Sequence, residues 1–336
     1  MAKLGVCVIG AGDMGRKHAE CWAQVEEARL IAVADPDVER ARKSCEDHGA
    51  DRWFADWREA LEEPGIQAVS VCVPSGYHRE CAVAAMEHGY HVLCEKPIAV
   101  AENDALAMIQ TAERTGVTFA VAFCKRFSNA LRRLREIIAG GELGRPVMYR
   151  FCTGWEIRFK LWIMDRTLGG GPIVDLACHY FDQWRFLFDA DPVRVKASGM
   201  TFSAGAPELP GVEPELDTAT VLVEYDSGDV GMISVSWGLP RGTRGGGLED
   251  LLAPHGVVTV HGLQKLTIAR PGGEEVLDGL GNDMYLDQTR AFAQAVLAGA
   301  PVSTTGTDGL MALRVSLAAI ESARTGEAVE LADRDH

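Results

Sequence analysis

The sequence lacks the long apolar run, the basic excess and the paired cysteines that mark several large classes of protein. No stretch approaches the ~20 consecutive apolar residues of a membrane helix, so we expect no membrane-embedded segment. Lysines and arginines total 33 against 48 aspartates and glutamates, which gives a formal charge of −15. So acidic a chain presents no basic surface to a phosphate backbone, which argues against a nucleic-acid partner.

The nine cysteines are scattered and odd in number, and no C-x-x-C pair occurs among them. This pattern predicts buried thiols and argues against a disulfide framework or a zinc knuckle. The N-terminus runs directly into a strand-like segment without the features of a signal peptide. Together these observations predict a reducing, cytoplasmic location.

The 336 residues suggest two domains. Residues 1–124 alternate β-prone runs with helical segments, which predicts an α/β domain with a doubly wound parallel (Rossmann) sheet. Strands are predicted at Leu4–Gly10, Arg29–Asp35, Ala68–Pro74, His91–Cys94 and Thr118–Phe123. Helices are predicted at Asp13–Val25, Val38–His48, Ser75–His88 and Ala101–Arg114.

Residues 125–336 change character and predict an α/β domain with a large, mostly antiparallel open sheet. A helix is expected at Asn129–Ala139, and packing of the closing helix back on the first domain is left open. Strands are predicted at Pro146–Thr153, Val193–Thr201, Asp217–Tyr225, Asp229–Trp237, Gly256–His261 and Lys265–Arg270, with loops at Ser203–Glu215 and Pro240–Glu249. Period-2 alternation around Asp226-Ser227-Gly228 indicates a hairpin with one covered face. A free opposite face predicts a homodimer or homotetramer.

A G-x-G-x-x-G motif, Gly10-Ala11-Gly12-Asp13-Met14-Gly15, joins the first strand to the first helix. Gly10 permits the tight turn, Gly12 lets a pyrophosphate approach the backbone, and Gly15 lets helix and strand pack closely. Asp13 and Met14 lie at the helix N-terminus, where N–H groups and the dipole favour an anion. Asp35 ends the second strand, where a carboxylate accepts hydrogen bonds from the adenosine ribose.

The same carboxylate favours NAD over NADP, because it repels a 2′-phosphate. Arg40 and Arg42 on the following helix could compensate for that repulsion, although surface charge is the commoner role of such residues. We therefore predict NAD as the cofactor.

Three further side chains suggest hydride-transfer chemistry. Lys96 follows the fourth strand within Glu95-Lys96-Pro97, where ligands of open α/β sheets bind, and an ammonium there can stabilise a developing alkoxide. Asp175 and His179 have i, i+4 spacing and would share one helix face, with His179 suited to act as a general base. Asp182 is an alternative orienting partner. A solvated lysine, a helix-terminal carboxylate and a core histidine are the simpler interpretations, and no third metal ligand is visible.

Taken together, Gly10–Gly15, Asp35, Glu95-Lys96-Pro97 and Asp175-x-x-x-His179-x-x-Asp182 resemble the Gfo/Idh/MocA oxidoreductases over essentially the whole chain. This resemblance implies an NAD(P)-dependent dehydrogenase acting on CH–OH groups, with a Rossmann domain followed by an open-sheet domain. It also implies that Lys96, Asp175 and His179 form the catalytic group.

The resemblance implies further binding residues. Glu95, Pro74, Ser75 and His78 match the segments near the cofactor, although His78 could equally face water on a first helical turn. Arg126 matches a position that often contacts substrate, and a structural ion pair is the alternative.

The segment Gly154–Leu168 departs from inositol dehydrogenases by its length and aromatic content. Trp155, Trp162 and Trp237 could stack on the apolar face of a pyranose. Four basic residues could bind an acidic or phosphorylated sugar, and these are Lys125, Arg158, Lys160 and Arg166. A solvated loop is the simpler interpretation.

We therefore predict an NAD-dependent dehydrogenase of a cyclic polyol, an aldose or a related sugar derivative. The alternatives are a keto-sugar reductase, a sugar enzyme that recycles tightly bound NAD, and a non-catalytic NAD(H) sensor.

Overall fold

The structure is a computed structural model of the chain, and it describes residues 3–158 and 160–331. The chain divides into two compact units. The first comprises Met1–Cys124 and Asp283–Leu310, and the second comprises Lys125–Asn282 and Met311–His336. The segment Asp283–Leu310 thus belongs with the N-terminal residues, whereas the sequence analysis placed it in the second domain.

The first unit contains a six-stranded parallel sheet. Its strands are β1 (Leu4–Ile9), β2 (Ala28–Ala34), β3 (Arg52–Phe54), β4 (Ala68–Val71), β5 (His91–Cys94) and β6 (Phe119–Val121). Their order, β3-β2-β1-β4-β5-β6, reverses between β1 and β4 and confirms the doubly wound prediction. Strands β1 and β4 are buried along their whole length, as strands covered on both faces must be. The switch point at their carboxyl ends is where such sheets bind ligands.

Helices connect these strands, and their ends follow from local capping. They are α1 (Asp13–Gln24), α2 (Val38–His48), α3 (Trp57–Leu61), α4 (His78–Glu87) and α5 (Glu102–Thr115). The predicted bounds of α2 are confirmed. The Asp37 side chain accepts a hydrogen bond from the Arg40 N–H at its start, and Gly49 adopts φ 69° at its end.

Two predictions in this unit were wrong in detail. The helix expected over Ser75–His88 is a 3₁₀ turn at Ser75–Tyr77 followed by α4. Strand β3 and helix α3 were not predicted, because each is very short and β3 is a largely exposed edge strand without a clear apolar alternation.

The second unit contains a nine-stranded sheet. Its strands are β7 (Met148–Glu156), β8 (Pro192–Met200), β9 (Thr218–Tyr225), β10 (Val230–Leu239), β11 (Leu248–Ala253), β12 (Gly256–His261), β13 (Lys265–Arg270), β14 (Gly273–Leu277) and β15 (Val329–Glu330). The order is β14-β13-β12-β11-β7-β10-β9-β8-β15, and β7 and β10 alone pair in parallel. This confirms the large, mostly antiparallel sheet.

Helices cover one face of this sheet. They are α6 (Asn129–Ala139), α7 (Leu161–Met164), α8 (Gly171–Asp175) and α9 (Ala177–Phe188). Trp184 of α9 lies so close over Gly231 of β10 that a Cβ there would be 2.1 Å from the indole. Glycine at position 231 therefore allows α9 to pack directly on the sheet.

The opposite face carries a mixture of apolar and paired charged side chains. Met232 lies opposite Leu222 in register, and Arg150 pairs with Asp250 at 2.7 Å. Oligomerisation through this face stays a prediction.

The predicted loop Pro240–Glu249 extends too far, because strand β11 begins at Leu248. Strands β14 and β15 were not predicted. Two long helices, α10 (Met284–Ala298) and α11 (Gly306–Thr325), lie between β14 and β15 in sequence. No described helix is long and apolar enough to cross a membrane.

Candidate functional site

The glycine turn between β1 and α1 has the geometry of a dinucleotide-binding turn. Gly10 adopts φ +92°, and a Cβ there would lie 2.6 Å from the Cys72 carbonyl oxygen. A Cβ on Gly15 would lie 1.7 Å from the Gly10 carbonyl oxygen. A Cβ on Gly12, in contrast, would meet nothing within 4 Å. Two glycines thus serve close packing, and the third leaves open space beside the backbone.

The N-terminus of α1 offers hydrogen-bond donors to that open space. Gly12 is the N-cap residue and supplies no side-chain cap, and the helix begins at Asp13 and Met14. The N–H groups of a helix N-terminus and the helix dipole suit a pyrophosphate. The turn therefore fits the phosphates of a dinucleotide.

Asp35 lies directly beside this turn and is only 5% exposed. Its Oδ2 accepts a hydrogen bond from the Ala11 N–H at 2.8 Å, and its Oδ1 accepts one from the Asp37 N–H at 2.9 Å. Each carboxylate oxygen has a second lone pair, and the Arg40 guanidinium lies 3.5 Å from both oxygens. Asp35 thus fixes the glycine turn and retains the capacity to accept hydrogen bonds from ribose hydroxyls.

The arginines considered for NADP are held by nearby carboxylates. Arg40 lies 3.5 Å from Asp35 and 3.0 Å from Asp37. Arg42 is bound 2.7 Å from both Glu39 and Glu46 on its own helix. Arg40 is therefore the basic side chain beside the predicted ribose position, whereas Arg42 is engaged in surface ion pairs.

The loop after β4 is joined to the loop after β5 through His78. The ring is buried, which excludes the water-facing alternative. Its two nitrogens lie 2.9 Å from the carbonyl oxygens of Pro97 and Val73, and burial lowers the pKa of His78. Pro74 and Ser75 lie in the linked segment, so His78 fixes the backbone of both segments that the resemblance places near the cofactor.

Glu95 connects Lys96 to a buried polar network. One carboxylate oxygen accepts a hydrogen bond from the Lys96 N–H at 3.1 Å, and the other lies 3.0 Å from Nε2 of His18. Nδ1 of His18 lies 3.1 Å from the Ser70 hydroxyl, which also accepts a hydrogen bond from the Trp22 indole. The half-buried Lys96 thus extends from a backbone turn fixed from within the fold.

This network holds a buried charge pair. Burial lowers the pKa of His18, but Cys72 and Glu95 raise it to about 10. Burial raises the pKa of Glu95, but His18 and Lys96 more than offset this, so the net shift is downward. Burial also raises the pKa of the Cys72 thiol, so Glu95 rather than a thiolate is the counter-charge of His18. The pair is an imidazolium and a carboxylate across the neutral pH range.

In the second unit, the glycine run Gly169–Gly171 leads into Asp175 and His179. Gly170 and Gly171 adopt φ of 76° and 68°, and α8 then ends at Asp175. Leu176 separates α8 from α9, and His179 lies in the first turn of α9. The prediction that one continuous helix carries both residues is wrong.

The break still leaves the two residues one turn apart, because the backbone at Leu176 stays in the right-handed helical region. The Leu176 N–H donates to the Pro172 carbonyl at 3.1 Å, and the His179 N–H donates to the Leu176 carbonyl at 3.2 Å. Asp175 and His179 are both half-buried.

Arg126 and Asp182 form a buried ion pair within this unit. The Arg126 Nε donates to the carboxylate at 3.0 Å, and its Nη2 lies 2.5 Å from Asp182 Oδ1. The structure thus shows the ion pair named above as the alternative role for Arg126. The Asp182 carboxylate accepts hydrogen bonds from this guanidinium. Nearby, the Lys125 ammonium donates to Gln183 at 3.0 Å and lies 3.5 Å from the centre of the Tyr180 ring.

Trp155 and Trp237 lie side by side at the carboxyl ends of the parallel strands β7 and β10. Their ring centroids are 6.1 Å apart and their planes differ by 9°. The guanidinium carbon of Arg158 lies 5.1 Å from one ring centroid and 5.4 Å from the other. We call these three residues the Trp–Arg cluster. Helix α8, which ends at Asp175, packs on the same strand β10.

His18 and Ser70 were not predicted as site residues from the sequence. A polar residue three positions beyond Gly15, on the face of α1 that packs inward, was a usable signal for His18. Nothing local predicted that its partner would be Glu95, 77 residues away. The described residues contain no cluster of three or more metal-ligating side chains.

Comparison with known proteins identifies the family. The model of the "oxidoreductase family, NAD-binding Rossmann fold" matches residues 4–123. The model of the "GFO/IDH/MocA C-terminal domain" matches residues 131–262.

Similar proteins match over nearly the full length. Inositol 2-dehydrogenase of Streptomyces avermitilis is 30% identical, covering 98% of this chain and 96% of its own. Myo-inositol 2-dehydrogenase of Thermotoga maritima is 28% identical, covering 98% of each chain. A crystal structure of an NAD binding oxidoreductase from Klebsiella pneumoniae has a TM-score of 0.84 at 26% identity, covering 99% of this chain and 100% of that one.

The chain therefore belongs to the Gfo/Idh/MocA oxidoreductase family, as its motifs indicated, and it is an NAD(P)-dependent oxidoreductase.

Proposed function

We propose that this protein is an NAD-dependent dehydrogenase of a cyclic polyol, an aldose or a related sugar derivative. The observation that carries the substrate class is the full-length similarity to proteins named inositol dehydrogenases. Binding of NAD is supported by the open glycine turn at the N-terminus of α1 and by the carboxylate of Asp35 beside it.

Lys96, Asp175 and His179 are the residues to which we assign the chemistry. The support for assigning them to one reaction is family membership, because all three lie in motifs that characterise the family. When bound, the nicotinamide supplies the hydride acceptor for oxidation or the donor for reduction.

We assign Lys96 to the reacting oxygen. Its ammonium donates a hydrogen bond there and stabilises negative charge as the hydroxyl proton leaves. The buried His18–Glu95 pair supports this role, since it fixes the backbone from which Lys96 extends. A fixed donor loses less free energy to reorganisation during the reaction than a mobile one.

We assign His179 to proton transfer and Asp175 to the substrate. An imidazole removes a hydroxyl proton during oxidation and returns it during reduction, near neutral pH. Asp175 lies one turn before His179, where its carboxylate can accept hydrogen bonds from substrate hydroxyls or from an ammonium. Proton removal by His179 leaves the charge on oxygen that Lys96 stabilises.

The test is NADH formation, followed by absorbance, with purified protein and a panel of inositols, aldoses, sugar acids and nucleotide sugars. The expected result is cofactor reduction with one chemical class of hydroxyl compound and a preference for NAD over NADP.

Other outcomes separate the alternatives. Turnover only with a keto-sugar and NADH identifies a reductase. Cofactor that stays with the protein through purification and is reduced and reoxidised in place identifies internal recycling. Cofactor binding without turnover, and without an effect of Lys96→Met, would contradict the proposal and support a sensor.

A further inference from the structure

The Trp–Arg cluster contains two buried hydrogen-bond donors without an acceptor. The indole Nε1 of Trp237 and the Nε of Arg158 are both buried, and neither has a hydrogen-bond partner among the described residues. Trp237 is only 2% exposed. Within the described part of the chain, no carboxylate forms an ion pair with Arg158, although the chain has 48 acidic residues.

Two such donors are costly to the fold unless a bound group accepts their hydrogen bonds. A buried donor without a partner costs free energy, and Arg158, which is half-buried, carries its charge without an ion-pair partner among the described residues. The π-faces of Trp155 and Trp237 compensate for part of the charge, because Arg158 lies within 5.4 Å of both ring centroids. Stacking on an indole satisfies none of the N–H groups, so the hydrogen-bonding capacity of these two donors stays unfilled among the described residues.

The position of the cluster in the second unit also suits contact with a substrate bound by Asp175. It lies where β7 and β10 end, and α8, which carries Asp175, packs on β10. Two N–H donors with a positive charge match the two oxygens and the negative charge of a carboxylate. The half-buried Trp155 beside them offers an apolar surface to the face of a sugar ring, whereas Trp237 is 2% exposed and packs within the fold.

We propose that Arg158 and Trp237 bind an acidic group of the substrate, so that the enzyme acts on a sugar acid, such as a uronate, in preference to a neutral sugar. This inference rests on the proposed function, which it narrows from sugars in general to acidic ones. Trp155 supplies the apolar surface, and the other two residues supply the donors.

The experiment compares matched pairs of compounds: D-glucuronate with D-glucose, and D-galacturonate with D-galactose. Turnover is measured with NAD, and binding is measured by calorimetry in the presence of NADH, so that affinity is obtained even without turnover. The variants are Arg158→Leu, which removes the charge, and Trp237→Phe, which removes one N–H and keeps an aromatic ring. Arg133→Leu, which removes an exposed guanidinium from α6, is the control.

We expect the uronate of at least one pair to bind more tightly than its neutral counterpart. Arg158→Leu should weaken uronate binding about tenfold or more, the usual effect of losing a charge-assisted hydrogen bond. Trp237→Phe should have a smaller effect in the same direction. Affinity for the neutral sugar should change little, and Arg133→Leu should change neither.

Equal affinity for acid and neutral sugar in both pairs, or equal weakening of both by Arg158→Leu, would overturn the inference and leave the cluster a packing element. Because calorimetry needs no turnover, a failure of the inference is distinct from a failure of the dehydrogenase proposal. NADH formation from neutral sugars alone refutes the inference about an acidic substrate and supports the dehydrogenase proposal. Tight uronate binding that Arg158→Leu abolishes, without NADH formation from any sugar, supports the inference and refutes the dehydrogenase proposal.

Discussion

Replacing Glu95 with glutamine should destabilise the protein in a pH-dependent way, because it removes the counter-charge of His18. The imidazole lies 3.0 Å from the carboxylate and is 1% exposed. In Glu95→Gln the side chain keeps its size and one oxygen acceptor, whereas the negative charge is lost. Burial lowers the pKa of His18, and in the variant the negative charge of Glu95 no longer opposes this effect. The ring therefore becomes neutral at a lower pH.

The size of the effect follows from proton linkage. The pKa of His18 is raised from its ordinary 6.5 to about 10 in the folded protein. A raised pKa stabilises the fold fully below 6.5, and this stabilisation is lost as the pH rises through 10. At 1.36 kcal/mol per pH unit, the contribution is at most about 5 kcal/mol at pH 6, about 3 at pH 8 and under about 1 at pH 10. Glu95→Gln should lose the part of it that comes from Glu95, since Cys72 also raises the pKa of His18.

The assay is a comparison of variant with wild type at several pH values. Calorimetry gives the melting temperature, and the difference between the two proteins should be large at pH 6 and shrink toward pH 10. Long-range nitrogen–proton NMR of the histidine rings follows His18 directly, and the pH at which that ring titrates should fall in the variant. Glu20→Gln, which breaks an exposed pair with Lys17, should cost less than about 1 kcal/mol.

A second readout concerns the turn itself. The Lys96 N–H donates to the same carboxylate, so Glu95→Gln should lower kcat while leaving the affinity for NAD nearly unchanged. A variant that melts at the same temperature as wild type at pH 6, or that loses equal stability at pH 6 and pH 10, would refute the role of Glu95 as the counter-charge of His18.

Four further predictions concern the proposed roles. Lys96→Met should retain NAD affinity and lower kcat by about 10²–10³-fold; unchanged turnover removes its assignment. His179→Ala should abolish the pH-dependent limb of the kcat/KM profile near neutrality, and an unaltered profile would exclude it as the base. Asp35→Ala should weaken NAD about tenfold or more and narrow the preference over NADP, whereas tighter wild-type binding of NADP would contradict the cofactor assignment. Met232→Arg, on the open sheet face, should dissociate the predicted oligomer in light scattering, and a monomeric wild type would contradict oligomerisation.

Much of the fold was predictable because its signals are local. Helix α2 has a side-chain cap and a terminal glycine within its own sequence, and its predicted bounds match the structure. Strands β5 and β12 are short apolar runs between turn residues, and they too begin and end as predicted. Strand β11 was not predicted because its local signals are weak. It begins with Leu248-Glu249-Asp250, which includes two acidic residues and directly follows a glycine run.

The site was harder to predict where it depends on distant residues or on small changes in the backbone. The i, i+4 spacing of Asp175 and His179 is also compatible with a break between two short helices, so spacing alone could not reveal Leu176 as a boundary. Whether Arg126 contacts substrate or forms a structural ion pair depended on whether the fold brings a carboxylate close to it. That carboxylate belongs to Asp182, which is 56 residues away in sequence. Partners so far apart in sequence leave no periodic signal.

The first unit is assembled from two separate pieces of chain, and this affects the order in which it can form during synthesis. Phe292 of α10 packs edge-on against Trp22 of α1 at 6.2 Å, within the core that also contains β1 and β2. The ribosome must therefore add roughly 160 further residues after Cys124 before this piece exists, which takes roughly 8–30 s at ~5–20 residues/s. Throughout that interval the part of α1 around Trp22 lacks the cover that α10 provides in the folded protein.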